Sequence, residues 1–79
     1  MTIYQNQYTQ RIYEIISPLL GDMMAKGAIR SQCKKMGISE EMIQHKDLAF
    51  ISENLKKAMI MFVGTENAIH LANKIKALL

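Results

Sequence analysis

The sequence predicts an all-α protein, a compact bundle of four to five short helices forming a single domain over residues 1–79. Three observations carry that expectation. Apolar residues recur at helical spacing along most of the chain. The breaks between periodic stretches hold residues that end and start helices: Ser17-Pro18, Gly37 with Ser39, and Gly64-Thr65. The one stretch of strand-like composition, Met59 to Val63, has no second stretch of its kind to pair with.

Residues 3 to 16 read as a first helix, with Ile3, Tyr8, Ile12, Ile15 and Ile16 near helical spacing and Tyr4 at its flank. Pro18 disfavours helical geometry at Ser17 and clashes with the carbonyl of Glu14, so a break is expected there. The same pair suits a new start, Ser17 as N-cap and Pro18 in the first turn. The second helix then runs to Met36 and stops at Gly37, with Asp22 near its positive end and Lys34 and Lys35 near its negative one. Gly21, Ala25, Gly27, Ala28 and Ser31 are small, which invites close approach by another helix and places this one at the centre of the fold. Each glycine costs about 1 kcal/mol of helix propensity relative to alanine, a loss that tight packing would offset.

Ser39 followed by Glu40, Glu41 and Met42 predicts a short third helix ending near His45, then a turn at Lys46 and Asp47. A fourth helix covers Leu48 to Val63, amphipathic at first through Leu48, Ile51, Leu55 and Ala58, then apolar on every side from Ala58 to Val63. Gly64 ends it, Thr65 caps the next, and residues 66 to 78 form the last helix with Ala68, Ile69, Leu71, Ala72, Ile75 and Leu78 inward. No internal repeat or linker is visible.

A chain of 79 residues buries only about 60% of the surface its unfolded form exposes, so close packing or self-association must support it. Disulfides cannot, because Cys33 is the only cysteine. The net charge of +3 permits an acidic partner without arguing for one. The longest apolar run, Ala58 to Val63, falls far short of the roughly 20 residues a membrane helix needs. With no secretory signal pattern either, a soluble cytoplasmic protein is expected, and an unpaired thiol agrees with a reducing compartment.

Asp22, Lys26, Arg30 and Lys34 lie four residues apart and make one ridge of the second helix, which neighbouring Lys35 extends. Lys26, Arg30, Lys34 and Lys35 are therefore the candidate contacts for an acidic partner. Asp22 already sets an acid four residues before Lys26, so a plain solvated face explains much of the pattern.

Met59, Met61, Phe62, Leu78 and Leu79 form the candidate apolar interface. Six unbroken apolar residues are hard to bury inside so small a monomer, which favours an isologous homodimer. Of the seven methionines, Met23, Met24, Met59 and Met61 could line a protein or ligand groove, although a core with methionine fillers is the preferred reading.

Gln32 to His45 resembles the helix-turn-helix signature in Cys33, Gly37, Ile38 and Ile43. That resemblance implies a nucleic-acid-binding regulator with Arg30, Lys34 and Lys35 on the backbone and Gln44 nearest the base edges. Glu40 and Glu41 open the would-be recognition helix, and Lys46 stands where the pattern wants an apolar residue, so a capped turn is the preferred reading.

His70 precedes Lys74 by four residues, but the lysine and glycine that usually follow the histidine of phosphotransfer domains are replaced by Leu71, Ala72 and Asn73. Cys33, His45 and His70 lie on separate segments with no local ligand pair, so no metal or other cofactor is implied. No constellation for enzymatic chemistry is present. The sequence best fits a non-enzymatic interaction module, self-associating through its apolar helix face, with a nucleic-acid-binding regulator as the alternative.

Overall fold

The computed structural model describes residues 2–78, and these are all-α. Four helices, α1 (Gln7–Leu20), α2 (Asp22–Met36), α3 (Leu48–Val63) and α4 (Thr65–Lys76), are joined with one 3-10 turn at His45–Asp47. Strands are absent among the described residues. None of the helices is long and apolar enough to cross a membrane.

α1 begins at Gln7, four residues later than the periodicity suggests, because the preceding backbone is already satisfied by side chains. Gln10 Oε1 accepts from the backbone N–H groups of Ile3 and Tyr4, at 3.0 and 2.9 Å. The Glu41 carboxylate accepts from those of Gln5 and Asn6, at 3.2 and 2.8 Å. Asn6 is the N-cap, its Oδ1 accepting from Tyr8 and Thr9.

The expected break at Ser17-Pro18 is not made. α1 runs through Pro18 to Leu20, and Ser17 lies inside it instead of capping α2. Proline removes the one bond that Glu14's carbonyl would receive, and on the exposed side of the last turn water can replace it. The stop comes at Gly21, with φ 84° and ψ 166°, a region open essentially to glycine alone. Gly64 joins α3 to α4 with φ 86° and ψ 162°.

The two joints are alike beyond their dihedrals. Each glycine donates to the carbonyl four residues back and accepts from an alanine four residues ahead, Ala25 or Ala68. Counted from each glycine, the same positions are buried: Ile12, Ile16, Ala25 and Ile29 in one pair, Leu55, Met59, Ala68 and Ala72 in the other. Even the buried hydroxyls of Thr9 and Ser52 correspond. At the next matching position the pairs diverge, Gln32 standing where the other has Ile75. The fold is two helical corners of one geometry, with almost no residue identity between them.

α2 ends as expected in a left-handed Gly37, with Ile38 N–H returning to the carbonyl of Cys33 at 3.0 Å and its side chain resting on the core. It is not the centre of the fold. α2 packs chiefly on α1 and meets α3 only narrowly, whereas α3 and α4 pack along their length. The helix expected from Ser39 to His45 is absent; the segment is a turn followed by extended chain. Its carbonyls are taken by α1 and its cap: Thr9 Oγ1 donates to Glu40, and Asn6 Nδ2 donates to Glu41 and Ile43. α3 matches its expected bounds, and α4 closes with Ala68, Leu71, Ala72 and Ile75 inward. Ile69, expected inward, is exposed.

Candidate interaction surface

Half of the basic ridge of α2 is neutralised by its own chain. Lys26 Nζ lies 3.1 Å from Asp22, and Arg30 Nε lies 3.3 Å from Glu40. Asp22 also accepts a hydrogen bond from the Tyr13 hydroxyl. That bond, more than the lysine, holds its carboxyl below the usual range, and the same contact raises the Tyr13 phenol. Lys34 and Lys35 remain exposed at the end of α2. The resemblance to helix-turn-helix proteins lacks its second helix, since Gln44 sits just before the 3-10 turn with its backbone N–H bonded to Asp47 Oδ2 at 2.9 Å.

The expected apolar interface divides into core and surface. Met59 is 3% exposed and packs in the core, because the single turn that carries it also carries the inward face of α3. Met61, nearly opposite that face, and Phe62, at its edge, are 89% and 65% exposed. Leu78 is half-buried against the core, and Leu79 lies outside the described residues. Met23, one of the methionines that could line a partner groove, is 85% exposed just beyond the other glycine joint.

Met23, Met24 and Phe62 converge on one groove between α2 and α3, of about 230 Å³, floored by Leu20, Leu55 and Met59. The small stripe of α2 accounts for it. Gly27, Ala28 and Ser31 face this groove together with Ala58 of α3, and the space they leave is not filled by another helix. Gln32 lines it too, and sequence reasoning passed over that residue. The available signal was its register: Gln32 falls on the same inward stripe as Ala25, Ile29 and Cys33.

A second, more polar cleft of about 590 Å³ separates α1 from α4, where Arg11 and Glu14 meet His70 and Lys74. Arg11 joins the His70 and Lys74 pair from a distant part of the sequence. Cys33 is buried, and burial, with the carboxylates of Glu40 and Asp47, pushes its thiol up to about 11. It behaves as a small apolar side chain and is poorly suited to act as a nucleophile. No group of three or more His, Cys, Asp or Glu residues among the described ones is placed to hold a metal ion. The chain matches no family model, no curated protein and no solved structure with which it was compared.

Proposed function

We propose that this domain is a non-enzymatic interaction module that pairs with a second copy of itself through the apolar end formed around its two glycine joints. The observation that carries this reading is the outward display of Met61 and Phe62 at the end of α3, with Met23 of α2 lining the same groove as Phe62. Large apolar side chains so exposed and so close together mark contact surfaces more often than they mark ordinary solvated ones.

The charge pattern favours a second copy as the occupant. An isologous contact sets a patch against itself, so it must avoid carrying one sign of charge. Residues 58 to 63 carry no charge, and on α2 the nearest charged groups are one acid and one base, Asp22 and Lys26, already paired. Self-pairing also adds apolar burial to a domain whose small size limits what its own core supplies.

Lys34 and Lys35, the unburdened end of the basic ridge, would then steer an acidic partner to the paired module. A nucleic-acid partner has less support, since residues 38–44 form a turn and extended chain where a recognition helix would have to follow Gly37.

Sedimentation of wild type against Met61→Lys tests the reading. Pairing predicts a wild-type mass that rises with concentration to twice the monomer and a folded, monomeric variant. A wild type that stays monomeric, or a folded variant of unchanged mass, would refute it. Lys34→Glu with Lys35→Glu should leave the mass unaltered.

A further inference from the structure

The groove between α2 and α3 contains a polar group in apolar company. Gln32 is 2% exposed and its Oε1 has no hydrogen-bond partner. Buried acceptors are nearly always satisfied, and one left over in a native fold asks for a reason. Packing alone does not supply it. At the corresponding position of the other helical corner stands Ile75, fully buried, so the architecture accepts an aliphatic side chain there. Gln32 faces a groove where Ile75 faces core.

Every other feature of the groove is apolar or small. Its volume of about 230 Å³ equals that of roughly eight waters at about 30 Å³ each, the scale of a one- or two-ring compound. Its methionines, Met23, Met24 and Met59, present thioether sulfurs, which make favourable contacts with aromatic rings and adapt to their outline. Phe62 adds an aromatic face or edge at the mouth. Oε1 itself is closed to solvent, and a turn of the amide about its last side-chain bond brings it to the groove floor as an acceptor for whatever occupies the space.

We propose that this groove binds a small, flat aromatic molecule bearing a single N–H or O–H donor, its ring held among the three methionines and Phe62 and its donor on Gln32 Oε1. The apolar walls provide attraction without selectivity. The amide provides the selectivity, because a ligand of the same shape without a donor leaves the acceptor unpaired. This site goes beyond self-association: it shares Met23 and Phe62 with the proposed contact, but Met61, the most exposed residue of that contact, does not line the groove and so tells the two apart.

Indole and benzothiophene are suitable probes, since they share a shape and differ in that sulfur replaces the N–H. Each is titrated into ¹³C-methyl-methionine-labelled protein, reading the methyl resonances of Met23, Met24 and Met59. Binding of indole about tenfold tighter than benzothiophene is expected, the worth of one hydrogen bond to a buried acceptor. Gln32→Met, which keeps the volume and removes the acceptor, should erase that preference while still binding both.

Ala28→Leu, which fills the groove and leaves Gln32 in place, should abolish binding of either probe. The proposal is overturned if neither probe moves the methionine methyls, if wild type does not prefer indole, or if Gln32→Met keeps the preference. It is overturned equally if Gln32→Met loses self-association, for the groove would then be the contact between copies. Loss of self-association in Met61→Lys with indole binding intact would leave the groove site standing, and a monomeric wild type that binds indole would refute the pairing alone.

Discussion

Asn6 and Glu41 grip each other from opposite ends of the first helical corner. The Glu41 carboxylate accepts from the backbone N–H of Asn6 at 2.8 Å, and Asn6 Nδ2 donates to the carbonyl of Glu41 at 3.0 Å. Asn6 meanwhile caps α1 with its Oδ1 and reaches Ile43 with the same amide nitrogen, at 2.8 Å. One side chain therefore starts a helix and pins the 39–44 loop.

Asn6→Ala should cost about 2 kcal/mol, a cap of about 1 kcal/mol plus the amide bonds to two carbonyls. Asn6→Asp separates the two roles. It keeps the capping oxygen, loses the donor and sets a second carboxylate against Glu41, so it should recover only the capping share. Urea unfolding of the three proteins measures this, and an aspartate variant as stable as wild type would show that the clip contributes nothing.

How far the fold was legible follows from the range over which each cause acts. α3 could be bounded because its apolar period and the glycine after it are local signals. The third helix was misread because what replaces it is distant: Asn6 and Thr9 supply the bonds that helix formation would otherwise have supplied at Glu40, Glu41 and Ile43. Pro18 misled because a rule for helix interiors was applied to a last turn open to water. The groove was legible only in its methionines, Met23, Met24 and Met59, for a third reason. Small residues on α2 announce that something can approach closely, but only the splay of α2 from α3 shows that no helix of the chain does so.

The Cys33 thiol should be unreactive in the folded protein. With its pKa near 11 against an ordinary 9.0, the thiolate at pH 8 falls about a hundredfold, and burial blocks the reagent as well. Labelling with a disulfide reagent should therefore follow unfolding, accelerating across the urea transition. Rapid labelling in the native baseline would show that the end of α2 opens locally.

The Tyr13 to Asp22 hydrogen bond should shape stability at both ends of the pH scale. Asp22 has its folded pKa below the ordinary 3.8, so its contribution is present above that value and is lost as pH falls through the folded one. Tyr13 has its folded pKa above the ordinary 10.0, so its contribution is present below that value and is lost as pH rises through the folded one. Tyr13→Phe should make the urea midpoint less sensitive to pH at both extremes. Some acid sensitivity should persist, because Glu53 is held low by Lys76 and Lys56. Both contacts are exposed, so high salt should weaken the acid-side effect at Glu53 more than at the hydrogen-bonded Asp22.

The same glycine-to-alanine change should have opposite signs at a helix joint and inside a helix. At Gly21 and Gly64 an added methyl meets no atom within 4 Å, so sterics with neighbours cannot decide the outcome. Conformation decides it: a φ near 85° with extended ψ is strained for any side-chain-bearing residue by about 1–3 kcal/mol. Gly21→Ala and Gly64→Ala should each lose about that much and should loosen the joint they form. Gly27 lies inside α2 with ordinary helical backbone and equally open space around it. There alanine removes the entropic cost of a helical glycine, so Gly27→Ala should gain up to about 1 kcal/mol. If Gly21→Ala and Gly64→Ala were as stable as wild type or gained stability as Gly27→Ala should, the two joints would not be what holds the helical corners in their geometry, and the likeness between them would carry no structural weight.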